Sequence, residues 1–180
     1  QDPKTKVIKI YKDTTPSWSP DGKRIVFSSA RDGKLKIWMM DRDGENLRKL
    51  TDTTGIYPCF SPDGKKIIFI SKQESRIYGD IYIINLETGK ETRITNSQSI
   101  KLHPSFTASN NDIIYLIIVK DTNNDVKINF KDNSVIYYQN LSGDINYQLT
   151  SYSETSLAGK WFPVFGTPDY RGVIVYSNLE

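Results

Sequence analysis

The densest run of metal-competent oxygen in this sequence is Asp121-Thr122-Asn123-Asn124-Asp125-Val126-Lys127-Ile128-Asn129-Phe130-Lys131-Asp132. Oxygen side chains fall on Asp121, Asn123, Asp125, Asn129 and Asp132, positions 1, 3, 5, 9 and 12 of a twelve-residue loop. Lys127, at position 7, offers its backbone carbonyl. Hard cations prefer oxygen, and EF-hand-type loops wrap one Ca²⁺ with this spacing. The spacing predicts a calcium site that stiffens an insertion and takes no part in catalysis. Two residues oppose it. Val126 stands where such loops use Gly for a sharp turn, and Asp132 is shorter than the usual bidentate Glu. The competing expectation is a polar surface loop whose Asn and Asp residues simply favour turns. A looser group, Asp41, Asp43 and Asn46, surrounds an Asp-Gly pair and reads as a hairpin turn.

Other chemistry is sparse. His103 is the single histidine. It precedes Pro104, and its equivalents in the repeat described below are Thr15, Tyr57 and Phe162, so nothing in the chain demands imidazole there. It reads as a structural residue leading from a loop into a strand. There is no G-x-S-x-G elbow, no H-E-x-x-H pair and no phosphate-binding Gly-rich loop. No catalytic residue and no enzyme are expected.

Net charge is +3, with lysines spread along the chain, which is not the clustered footprint of a nucleic-acid partner. The longest apolar run, Ile113 to Val119, is shorter than the roughly 20 residues that cross a bilayer, so no membrane span is expected. Gln1 to Lys6 is polar and carries no signal-peptide core. Cys59 is the only cysteine, so no internal disulfide can form.

The elements that must carry these residues recur. Pro16-Ser17-Trp18-Ser19-Pro20-Asp21-Gly22-Lys23 returns as Pro58-Cys59-Phe60-Ser61-Pro62-Asp63-Gly64-Lys65, and more loosely from Pro104 and Pro163. An apolar strand follows each turn, as in Ile25-Val26-Phe27 and Ile67-Ile68-Phe69. An Ile-aromatic pair comes next, at Ile37-Trp38, Ile81-Tyr82 and Ile136-Tyr137. Thirteen residues after each isoleucine stands an apolar residue followed by Thr, at Leu50-Thr51, Ile94-Thr95 and Leu149-Thr150. Four short antiparallel strands per unit of about 40 residues predict the blades of an all-β propeller. Pro presets φ in the turn, Asp caps it and Gly takes the positive φ. Trp18, Phe60, Phe106 and Phe165 are expected to fill the spaces between blades, because a blade cannot bury both faces alone.

These residues, above all "PSWSPDGKRIVFSS" and "PCFSPDGKKIIFIS", resemble the TolB-type propeller repeat, strongly over residues 16–96 and more loosely over 104–179. The resemblance implies an exported, periplasmic or cell-envelope scaffold that binds protein partners at a propeller mouth or in the central channel. The same repeat in prolyl-oligopeptidase-like proteases implies a second reading, a substrate-gating propeller of a larger serine peptidase. A glycan-binding propeller is the third, with Trp161 and Phe162 as its aromatics.

Residues 1–180 read as one propeller or part of one, with blades over 16–51, 58–96, 104–151 and 162–179. Three are complete, the fourth stops after its second strand, and 6–11 is a candidate closing strand. A fragment of a longer ring, a four-bladed ring with an incomplete closing blade, and self-association through open edges all fit this count.

Overall fold

The computed structural model describes residues 11–71 and 79–150, and the strands at 163–165 and 174–176. Every described element is a strand. β1 (Asp13–Trp18), β2 (Arg24–Ser29), β3 (Lys36–Asp41) and β4 (Arg48–Lys49) form one sheet in sequence order. β5 (Ile56–Phe60), β6 (Lys66–Ser71), β7 (Asp80–Asn85) and β8 (Glu91–Arg93) repeat it. So do β9 (Ile100–Phe106), β10 (Asp112–Ile118), β11 (Val135–Asn140) and β12 (Asn146–Gln148). β13 (Pro163–Phe165) and β14 (Ile174–Tyr176) pair as the start of a fourth sheet. All pairings are antiparallel, as expected for blades. The candidate strand at 6–11 lies outside the described residues but for Tyr11, which is not in a strand.

The turn chemistry is direct. Ser19 Oγ donates to Asp21 Oδ1 at 2.6 Å and accepts the Arg24 amide at 2.8 Å. Gly22, at φ 67°, closes the turn onto the Ser19 carbonyl. Ser61, Asp63 and Gly64 repeat this arrangement. In the third blade Asn110 takes the glycine's place at φ 59°, a region that Asn tolerates better than most residues.

The strict 13-residue spacing also has a cause. Leu50, Ile94 and Leu149 each donate an amide to the carbonyl of Ile37, Ile81 and Ile136, in every case at 2.8 Å. The following Thr hydroxyl then receives the amide of that same isoleucine, at 3.1 Å for Thr51, 2.9 Å for Thr95 and 3.0 Å for Thr150. The outer strand ends there, and a side chain replaces the backbone partner that a longer strand would supply.

The middle strand β6 of the second sheet is buried on both faces. Ile67 and Phe69 pack with Val26, Ile37 and Met39 of the first sheet. Ile68 and Ile70 pack with Phe106, Ile113 and Tyr115 of the third. Each such side chain contributes about 1.5–3 kcal/mol by leaving water.

Phe60 and Phe106 are 5% and 2% exposed, as the repeat predicts, and each seats against the sheet that precedes it. Trp18 corrects the expectation. It is 58% exposed, because no described strand stands on that side of β1. The face it shares with Phe27 and Trp38 is covered instead by Arg31, whose guanidinium lies 5.0 Å from each of those two rings. The Phe165 side chain lies outside the described residues.

Candidate functional site

β1 meets β5, β5 meets β9, and β13 stands beside β9, so the first strand of each sheet lies innermost. Each inner strand carries an X-Pro step: Thr15-Pro16, Tyr57-Pro58 and His103-Pro104. Proline has no amide to give a ladder, and the pairing slips at each of these steps. The residue before each proline adopts positive φ, 50° at Thr15, 56° at Tyr57 and 47° at His103. Side-chain-bearing residues resist that region, and repeated strain of this kind concentrates at functional sites.

The three steps and the residues after them, Ser17, Cys59 and Ser105, line one concave recess of about 240 Å³. The Tyr57 and His103 rings lie 4.1 Å apart, tilted by 47°. Thr15 Oγ1 and Ser28 Oγ are 3.0 Å apart, and Cys59 Sγ is 3.7 Å from Ser105 Oγ. Burial drives the His103 pKa down to about 4, so its ring is neutral at pH 7. Burial also raises the Cys59 thiol and the Tyr57 phenol above their ordinary values. The recess is therefore uncharged at neutral pH, with prolines and rings for contact and hydroxyls among its lining. A buried thiol held protonated is a poor nucleophile.

His103 sits inside β9, not at its entry from a loop, and forms part of this wall. Its signal was available, since the sequence aligns it with Thr15 and Tyr57. What the sequence could not supply was the convergence of the three strands.

The loop carrying Asp121, Asn123, Asp125, Lys127, Asn129 and Asp132 links β10 to β11, away from the recess. Asp121 Oδ1 accepts the Asn124 amide and its Oδ2 the Val126 amide, each at 2.8 Å. Asn123 Oδ1 accepts the Asp125 amide at 2.9 Å. Asp125 Oδ1 accepts the Lys127 amide at 3.0 Å, and Asn129 Nδ2 donates to Asp125 and to the Lys127 carbonyl. Asp132 accepts the Thr122 and Asn129 amides at 2.8 Å, and these amides hold its carboxyl below the ordinary range. Val126 does take the positive φ that the spacing required, at 68°. As placed, the carboxylates bind the loop's own donors, and among the described residues no three His, Cys, Asp or Glu groups gather where one ion could reach them. Asp41, Asp43 and Asn46 form a hairpin turn, with Asn46 Nδ2 donating to Asp41 at 2.6 Å.

A third polar group joins two sheets. Lys101 Nζ, buried in the strand β9, donates to Asp80 Oδ1 and to the Gly79 and Ser97 carbonyls, each at 3.2 Å. Asp80 also binds Arg93 and receives the Thr95 hydroxyl at 2.9 Å. Burial pushes the Asp80 carboxyl up, but Arg93 and Lys101 outweigh it and hold the group below its usual range. Trp161 and Phe162 lie outside the described residues. Among those described, no helix is long and apolar enough to cross a membrane.

Four-stranded antiparallel sheets in sequence order, converging on their first strands, define a β-propeller assembled from repeated blades. The chain belongs to the TolB beta propeller domain family, whose family model matches residues 4–153. Over 36 residues it is 47% identical to the Tol-Pal system protein TolB of Syntrophus aciditrophicus, covering 20% of this chain and 8% of that protein. A structure described as TolB from Agrobacterium tumefaciens superposes with TM-score 0.63 at 22% identity, over 81% of this chain and 50% of that one. TolB from Acinetobacter baumannii gives TM-score 0.62 at 25% identity, over 86% and 35%. The fold recurs in an acylaminoacyl peptidase from Pyrococcus horikoshii, at TM-score 0.56 and 14% identity, over 77% and 25%. The chain thus spans half the length or less of these proteins.

Proposed function

We propose that this chain acts without catalysis, as a protein-interaction scaffold of the periplasm or cell envelope. A partner segment would engage the wall built by β1, β5 and β9. The observation that carries this reading is the recess itself. Three blades bring Thr15, Tyr57 and His103 to one concave surface at strained positions, with no charge at neutral pH. Such a surface suits an extended, uncharged peptide segment: rings and prolines supply contact area, and hydroxyls supply orientation. The relation to a Tol-Pal system protein supports an exported location.

A photoreactive residue at Tyr57, with a control at the outer-strand residue Arg48, tests the proposal in intact cells. A discrete protein adduct at position 57 and none at 48 is the expected result. Equal labelling at both positions, or hydrolysis of peptide or glycan by the purified chain, overturns it.

The likeness to a peptidase structure favours one second reading, a gating propeller of a larger serine peptidase. It requires the gene to continue into a hydrolase domain with a G-x-S-x-G turn. Sequencing the gene decides between them.

A further inference from the structure

We propose that the loop between β10 and β11 is an anchor for an anionic lipid surface. Val126 and Phe130 enter the interfacial layer while Lys120, Lys127 and Lys131 meet the headgroups. The argument begins with length. The first blade joins β2 to β3 with six residues (30–35), whereas the third uses sixteen (119–134) to join β10 to β11. Both connections occupy the same place in the same sheet order, so the fold does not need the added residues.

Those residues leave apolar groups in water. Val126 is 91% exposed and Phe130 59%. Bracing from below keeps them there. Asp121 accepts the Val126 amide at 2.8 Å, Asp132 the Thr122 and Asn129 amides at 2.8 Å, and Thr122 Oγ1 the Asn133 amide at 2.7 Å. Val126 is held at φ 68°, where a β-branched residue is strained and glycine is not. Stability alone does not account for valine at that position.

The same bracing sets the charge that the loop presents. Residues 120–132 hold three lysines and three aspartates. Asp132 is 6% exposed and Asp121 is half-buried, so Asp125 is the one carboxylate of the three that is exposed, bonded to the neutral Asn129 amide. The lysines are all exposed, and no ion pair holds them among the described residues. The loop therefore presents an exposed tip that carries two apolar side chains and three lysines against one exposed carboxylate. A protein groove would need a matching concavity, whereas a bilayer interface accepts a convex tip and offers anions above apolar depth. Hairpin order also places this loop at the end of its blade opposite the β9–β10 and β11–β12 turns.

Co-sedimentation of the full chain with vesicles of phosphatidylglycerol and phosphatidylethanolamine tests the proposal. Binding is expected that high salt releases, with none to phosphatidylcholine alone. Val126→Asp combined with Phe130→Asp is expected to weaken binding about tenfold or more, and Lys127→Glu combined with Lys131→Glu to do the same at low salt. Val126→Gly separates anchoring from folding, since it is expected to raise Tm while weakening vesicle binding. Sedimentation equal to a vesicle-free control, or unchanged in both double variants, overturns the proposal. Docking of the tip into a protein groove would give the first of these results. Either failure leaves the scaffold reading intact, because that reading rests on β1, β5 and β9.

Discussion

Ile81 gives its amide proton to Thr95 Oγ1 at 2.9 Å and takes the Ile94 amide on its own carbonyl at 2.8 Å. Ile81 is fully buried and Thr95 is 8% exposed, so water cannot replace the hydroxyl. Thr95→Val keeps the shape, strands the Ile81 amide and removes one of the donors to Asp80 Oδ1, which keeps Lys101. We expect a loss of about 1–3 kcal/mol in urea unfolding, with Thr95→Ser recovering most of it. Equal stability of Val and Ser variants would show that the spacing reflects packing alone.

Phe60 and Trp18 occupy the same place in the repeat and differ in burial. Phe60→Ala is expected to cost about 3–5 kcal/mol by opening a cavity against Val26, Ile37 and Met39. Trp18→Ala in this chain is expected to cost about 1 kcal/mol or less. Comparable losses in denaturant titrations would mean that another surface covers Trp18.

Lys101 and Asp80 join the second and third blades. Burial draws the Lys101 ammonium below its usual range, and Asp80 opposes that pull. Lys101→Met leaves Asp80 without its buried partner and is expected to cost about 3 kcal/mol. Adding Asp80→Asn should return part of the loss. Additive effects in the double-mutant cycle would remove the pair from the inter-blade contact.

His103 makes stability depend on pH in one direction. Its folded value, about 4, lies below the 6.5 of an unperturbed imidazole. Between those values the unfolded chain binds more protons, so stability is fully present above about pH 6.5 and falls as the pH drops toward 4. His103→Gln is expected to flatten that limb of a Tm-against-pH curve. An unchanged slope would place the titration elsewhere.

The spacing of loop 121–132 proposes a calcium ion, and melting curves test it. Calcium at about a hundredfold excess over Kd adds about 2.7 kcal/mol. The expected result is a higher Tm with calcium that Asp121→Ala abolishes. Superimposable curves with calcium and with chelator end that reading and leave the loop held by its own amides.

The sequence by itself determined the blades. Short apolar runs specify strands, while Pro, Asp and Gly specify the turns between them, because both act through neighbours in the chain. It also located the threonines by their spacing without revealing that their hydroxyls end the outer strands. Only the tertiary structure separated Trp18 from Phe60, which share one motif. Burial depends on what stands across the space, and no local pattern encodes that. It also made His103 part of a recess wall, since three prolyl steps more than 40 residues apart come together only when their strands converge. The distinction is physical: backbone conformation and hydrogen-bonded turns are set within a few residues, whereas desolvation is a property of the assembled sheets.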